Sequence, residues 1–301
     1  MRTLAIGALC AGICIGLPGL AHAAAQHREL LILVGNTKNP ELGRSVAVNI
    51  RDMTKLLRDK VNQKPDGSPV AKEDQAEVDV FPIVAANFSC SAIERLLAGG
   101  PDPTGNRLNI KPTDTVVFYY SGHGYHPDTS ASKMPTLLCS SIPNQSDPQP
   151  AKDLAFSKVM NQIFALHPKL AIGIADTCNI EVKVRVFSGK PLGAKGIPQT
   201  SWQGLQELLF ARPGKLAFWG AVVGTASRYP NYADDSLFTQ QLITAIGDNS
   251  TGDNPSWADI APTATKEINS ALLDPPPPPS QAFVQDPKYD DFGSGLAPPV
   301  N

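Results

Sequence analysis

Two short stretches of this chain set reactive side chains where they suit covalent chemistry. His123 stands in Ser121-Gly122-His123-Gly124, directly after an apolar and aromatic run from Val116 to Tyr120. Cys178 stands in Asp176-Thr177-Cys178, directly after the run Leu170 to Ala175. An imidazole moves a proton near neutral pH. A thiol beside it can act as a nucleophile, with the imidazole handling protons during attack and departure of the leaving group. Gly122 and Gly124 let the backbone approach closely and can aim an amide at a developing oxyanion. Alone, the histidine would read as a core residue satisfied by backbone groups, and the cysteine as a small buried hydrophobe. The pairing carries the chemical reading.

The elements around these residues must bring them together. Glu29 to Asn36 is a continuous apolar run ending near Gly35, as in a strand buried on both faces. Ser45 to Val61 has helical spacing, and Glu77 to Ala86 alternates as a second strand. Ser89 caps a helix ended by Gly99 and Gly100. Pro112 to Gly122 is the third strand, and Pro135 to Ser141 holds a short one. A helix covers Leu154 to Leu166, and Lys169 to Asp176 is the fourth major strand. Ser201 to Phe210 reads as a helix, Lys215 to Ser227 as a fifth strand, and Ser236 to Gly247 as a closing helix. Strands alternating with helices predict an α/β three-layer sandwich with a mostly parallel central sheet flanked by helices. In such sheets reactive groups gather beyond the carboxyl ends of strands. His123 and Cys178 face one crevice if their strands are neighbours.

The flanking segments fit an exported protein. Met1 to Ala23 has Arg2, an apolar run from Leu4 to Leu17, a Pro18-Gly19 break and small residues at Ala21 and Ala23, so residues 1–23 read as a cleavable signal peptide. A membrane anchor is the alternative, but the run is shorter than the roughly 20 residues a span needs. Secretion or a periplasmic location follows, with no stable membrane insertion after cleavage. Removal of Cys10 and Cys14 leaves Cys90, Cys139 and Cys178, an odd set in an oxidising compartment. Cys90 and Cys139 could pair; the spacing of the three does not suit zinc. With 26 basic and 28 acidic residues the formal net charge is −2, which gives no reason to expect nucleic acid. The domain spans 24–273, with a large portion about 28–180, an exposed Lys-, Gly- and Pro-rich loop at 181–200, and a small portion about 201–273. Residues 274–301 form a Pro-rich tail, expected to stay disordered and able to serve as a partner ligand.

On these motifs the sequence resembles the caspase-like cysteine peptidases, within them the metacaspase and bacterial caspase-domain branch. Phe118 to Gly124 resembles the family's histidine motif, and Ile172 to Asn179 its nucleophile motif. The stretches Leu30 to Leu57 and Gly224 to Ile246 are similar to its first and last strand–helix units. The interval between His123 and Cys178 is close to the roughly 50 residues seen in caspases. The resemblance implies a caspase-like fold, with Cys178 as nucleophile and His123 as general acid/base. It places the amides of Gly124 and Cys178 in the oxyanion hole, and lines the pocket before the scissile bond with Ser121, Asp176 and Asn49.

Asp176 at the floor of that pocket implies cleavage after Arg or Lys through a thioester acyl-enzyme. From the residues alone, Asp176 could equally cap the following turn. The implied activity is that of an exported endopeptidase acting on protein or peptide substrates, without metal or other cofactor, with calcium activation not readable from the sequence. The basic loop holding Lys183, Arg185, Lys190 and Lys195 is a candidate for self-cleavage. The chain departs from the family pattern at Asn179-Ile180-Glu181, where His-Ser-Gly is usual, and at Asn49, where an acid is usual. The missing His-Ser-Gly and the Pro-rich tail support the alternative, a catalytically inactive caspase-like domain acting as a binding or regulatory module.

Overall fold

The computed structural model describes residues 27–127, 130, 132–139, 153–178, 196–221, 236–272 and 288–291. The leader, loop residues 181–195 and most of the tail lie outside them. In chain order the elements are β1 (Arg28–Gly35), α1 (Gly43–Thr54), β2 (Glu77–Val84), α2 (Cys90–Leu97), β3 (Thr115–Ser121), β4 (Gly124–Tyr125), β5 (Thr136–Leu137), β6 (Leu154–Ala155), α3 (Phe156–Ala165), β7 (Leu170–Asp176), α4 (Trp202–Gln206), β8 (Gly214–Trp219), α5 (Leu237–Ser250), α6 (Trp257–Leu272) and β9 (Lys288–Asp291).

The main sheet has the order β2-β1-β3-β7-β8-β9. Its first five strands run parallel and β9 runs antiparallel to β8. Every residue of β3 and β7 is buried, which is why their sequences read as unbroken apolar runs rather than alternating ones. Side-chain alternation splits the core into two. Leu31, Val117, Tyr119, Ile174 and Phe218 pack with residues of α1, α4, α5 and α6, while Ile32, Phe118, Tyr120 and Ala175 pack with α2 and α3. The result is the expected α/β three-layer sandwich. Each large apolar side chain so buried contributes about 1.5–3 kcal/mol. A second, three-stranded antiparallel sheet, β4-β5-β6, extends from the end of β3.

Several elements differ from the sequence reading. A helix over Trp257–Leu272 was not anticipated, because Pro262 lies within it and proline in a helix interior normally stops it. Burial of Trp257, Ile260 and Ala264, with the Trp257 indole N–H donating to the Leu208 carbonyl (2.8 Å), outweighs that cost. Helix α5 continues past Gly247, which lies against Pro198 instead of ending the helix. The first helix gives way at Lys55 to a wider π turn and then a short 3-10 turn.

Within the tail, residues 288–291 pair with β8 as an antiparallel edge strand. Lys-Tyr-Asp-Asp contains no proline, and the open edge of β8 offers backbone donors and acceptors. Cys90 and Cys139 form a disulfide.

Candidate active site

Strands β3 and β7 are direct neighbours, and their last residues, Ser121 and Asp176, are register partners. The Gly122 N–H donates to the Asp176 carbonyl (3.1 Å), extending the pairing one step beyond the strands. His123 and Cys178 each follow that matched pair by two residues. The loops that carry them therefore leave the same edge of the sheet from neighbouring strands about 4.8 Å apart. Cys178 is a buried thiol, 4% exposed. A Cβ on Gly124 would fall 2.2 Å from Thr177 Oγ1 and 2.8 Å from the Thr136 carbonyl oxygen. The glycine is what lets the histidine loop lie directly against the cysteine loop.

The backbone of His123 is held from two further sides. Tyr120, fully buried at the end of β3, places its hydroxyl 2.6 Å from the His123 carbonyl and 3.1 Å from the Leu138 carbonyl. The Leu138 N–H donates to the same His123 carbonyl (3.0 Å). A Cβ at Gly122 would sit 2.9 Å from the Tyr120 hydroxyl, so residue 122 must be small for the phenol to pass beneath. Cys139, next in the chain, ties this hairpin to the start of α2 through the disulfide.

Burial lowers the pKa of His123 from its ordinary value, opposed by the charge of Glu41. The imidazole is thus held neutral near pH 7, the form that accepts a proton. Its Nε2 is buried and has no hydrogen-bond partner among the described residues, and the same holds for Thr177 Oγ1 and Trp219 Nε1. Thr177 and Trp219 end neighbouring stretches of the same sheet edge. A cavity of about 10 Å³ beside His123, walled by Asn36, Asn39, Phe88 and Leu138 among others, has room for one water at most.

The remaining predicted residues, Asn49, Ser121 and Asp176, also meet, on the α1 and α5 face of the sheet. Asn49 Nδ2 donates to Ser121 Oγ (2.9 Å) and to Asp176 Oδ2 (3.0 Å). Two residues that sequence reasoning missed complete the cluster. Ser236 Oγ and Thr239 Oγ1 (2.6 Å) both donate to Asp176 Oδ2. Asn49 Oδ1 accepts the Ser236 N–H (2.8 Å). Tyr119 lies 2.6 Å from Thr239 Oγ1; since that hydroxyl gives its own proton to Asp176, the phenol is the donor. Asn49, Ser121, Asp176, Ser236, Thr239 and Tyr119 are all 0% exposed. The only local signal for Ser236 is its place as a helix N-cap, which it fills by accepting the Thr239 N–H (3.1 Å).

No metal-binding cluster of His, Cys, Asp or Glu occurs among the described residues. The chain matches no model of a known protein family, and no curated protein matches it significantly.

Proposed function

We propose that this chain is an exported cysteine endopeptidase that works through a Cys178–His123 dyad. The observation that carries this reading is the Ser121–Asp176 register of adjacent parallel strands, which delivers both loops to one sheet edge. In the proposed reaction, neutral His123 takes the Cys178 proton as sulfur attacks the substrate carbonyl. The Gly124 and Cys178 amides receive the developing oxyanion. His123 then protonates the departing amine, leaving a thioester, and activates the water that hydrolyses it. The family resemblance implies Arg or Lys before the scissile bond, with Asp176 as its counter-charge, a preference that holds only where a substrate cation reaches the carboxylate.

The test is hydrolysis of peptides ending in Arg, Lys or norleucine before a fluorogenic leaving group, by wild type and Cys178→Ala, with and without calcium. Turnover by wild type that vanishes in the variant is expected. Mass spectrometry of the purified chain would also reveal a cut within residues 181–200 if the loop is self-processed.

Burial of Cys178 and the engagement of Asp176 favour a second reading, in which the domain is inactive and serves as a binding or regulatory module. Absence of turnover in every condition, with Cys178 unlabelled by a peptidyl chloromethylketone, would select it.

A further inference from the structure

The most unusual feature of the site is the way its carboxylate is used. Asp176 ends β7 next to the proposed nucleophile, where a substrate pocket would open. Yet one of its oxygens, Oδ2, already accepts from Asn49 Nδ2, Ser236 Oγ and Thr239 Oγ1. The donors are themselves fully committed. Asn49 gives one amide hydrogen to Ser121 and one to Asp176, while its oxygen takes the Ser236 N–H. Ser236 Oγ receives the Thr239 N–H, and Thr239 Oγ1 receives the Tyr119 hydroxyl. The hydrogens line up in one consistent direction, ending on the carboxylate. A carboxylate at position 49 could not take part, because it has no hydrogen to donate to either Ser121 or Asp176.

The charge of Asp176 is met as well as the hydrogen-bonding capacity of its Oδ2. Ser236 is the N-cap of α5, and a helix N-terminus carries roughly half a positive charge. The carboxylate thus acts on the fold, anchoring the start of α5 to the end of β7. Because Asp176 is 0% exposed, a guanidinium or ammonium group arriving from solvent would have to open this packing, compete with the donors on Oδ2 and shed its own water. That exchange trades strong hydrogen bonds for equivalent ones at the cost of desolvating a cation.

We propose that Ser236 and Thr239, together with Asn49, are specificity-determining residues that withhold the Asp176 carboxylate from substrate, so that the site excludes Arg and Lys and takes an uncharged side chain before the scissile bond. This rests on the peptidase reading for its meaning, but the withholding itself is a binding property and is measured without turnover.

The experiment uses benzamidine, a small amidinium probe, titrated into the full-length mature Cys178→Ala chain and followed by calorimetry and NMR. No Asp176-dependent binding is expected in this background. Ser236→Gly/Thr239→Ala, which removes both hydroxyls and the volume around them, is expected to bind benzamidine at least ~10-fold more tightly, a gain abolished by adding Asp176→Asn. With Cys178 restored, the same double variant should raise the ratio of Arg to norleucine hydrolysis by a similar factor.

Benzamidine seated on Asp176 in the chain with Ser236 and Thr239 intact would overturn the proposal. So would a folded double variant with no gain in binding. If the double variant does not fold, Ser236→Ala with the first titration still decides, since no cation should reach Asp176 while Thr239 and Asn49 stay in place. Failure of the peptidase reading looks different: benzamidine binding changes as described, and no peptide is hydrolysed by any variant.

Discussion

The Tyr120 hydroxyl donates to the backbone carbonyl of His123 at 2.6 Å, so a residue buried at the end of β3 fixes the position of one three places further on. Tyr120 acts through the His123 backbone, as a positioning residue. Tyr120→Phe leaves the Leu138 N–H on the same carbonyl, so the loss of stability should be only about 1 kcal/mol. Under the peptidase reading, a slackened imidazole should lower kcat by ~10–100-fold with little change in KM. A split that falls on KM instead would mean the phenol serves binding.

His123 supplies a pH signature. Burial depresses its folded pKa below 6.5, so the unfolded chain binds a proton that the folded chain refuses. Stability from this source is therefore complete above 6.5 and is lost as pH falls through the lower folded value. Denaturant titrations across mildly acidic pH should show a slope that His123→Gln flattens. An unchanged slope would place the titrating group elsewhere.

Asn49→Asp would set two carboxylates against each other in a sealed site and leave Ser121 without its donor. At neutral pH the expected loss is about 3–5 kcal/mol, as when a buried charge goes uncompensated. Acidification should return part of it, because a shared proton relieves like charges. Urea midpoints of wild type and variant should converge as pH is lowered.

Glu29 is fully buried on β1, and neither carboxylate oxygen has a hydrogen-bond partner among the described residues. Desolvation raises its pKa well above 4.5. Here the folded chain holds a proton that the unfolded chain releases, so stability is complete below 4.5 and declines as pH rises toward the folded value. Glu29→Gln removes that coupling. It should raise the melting temperature at neutral pH and lose the advantage in acid; a gain independent of pH would refute the assignment.

The Cys90–Cys139 disulfide spans a sequence separation of 49, for which chain entropy gives up to roughly 4 kcal/mol. Reduction should lower stability by about 2–4 kcal/mol. It should also loosen the hairpin that holds the His123 carbonyl through Leu138. Amide exchange at Leu138, measured with and without reductant, reads the second effect directly.

Much of the fold is legible in the sequence because burial on both faces leaves its mark on composition. Runs such as Val116 to Tyr120 and Leu170 to Ala175 have no polar alternation, as a strand covered on both faces of a sheet requires. Helices α2 and α3 announce themselves by spacing. The unanticipated elements are those where tertiary contacts override a local rule: Pro262 inside α6, Gly247 inside α5, and a four-residue strand in a Pro-rich tail. In each case the contact that decides the outcome comes from a residue far away in the chain.

The candidate site divides the same way. Residue order alone marks His123 and Cys178, because glycine-flanked histidine and a strand-end cysteine are local patterns, and it also marks the carboxyl ends of two strands as their place. That β3 and β7 are neighbours in register, and that Asp176 is occupied by Ser236 and Thr239 from α5, depends on how distant segments pack. A hydrogen bond to a buried carboxylate is set by distances of a few tenths of an ångström between elements, and no local pattern in the chain records those. The tertiary structure therefore decides whether the charge of Asp176 faces a ligand or supports the fold.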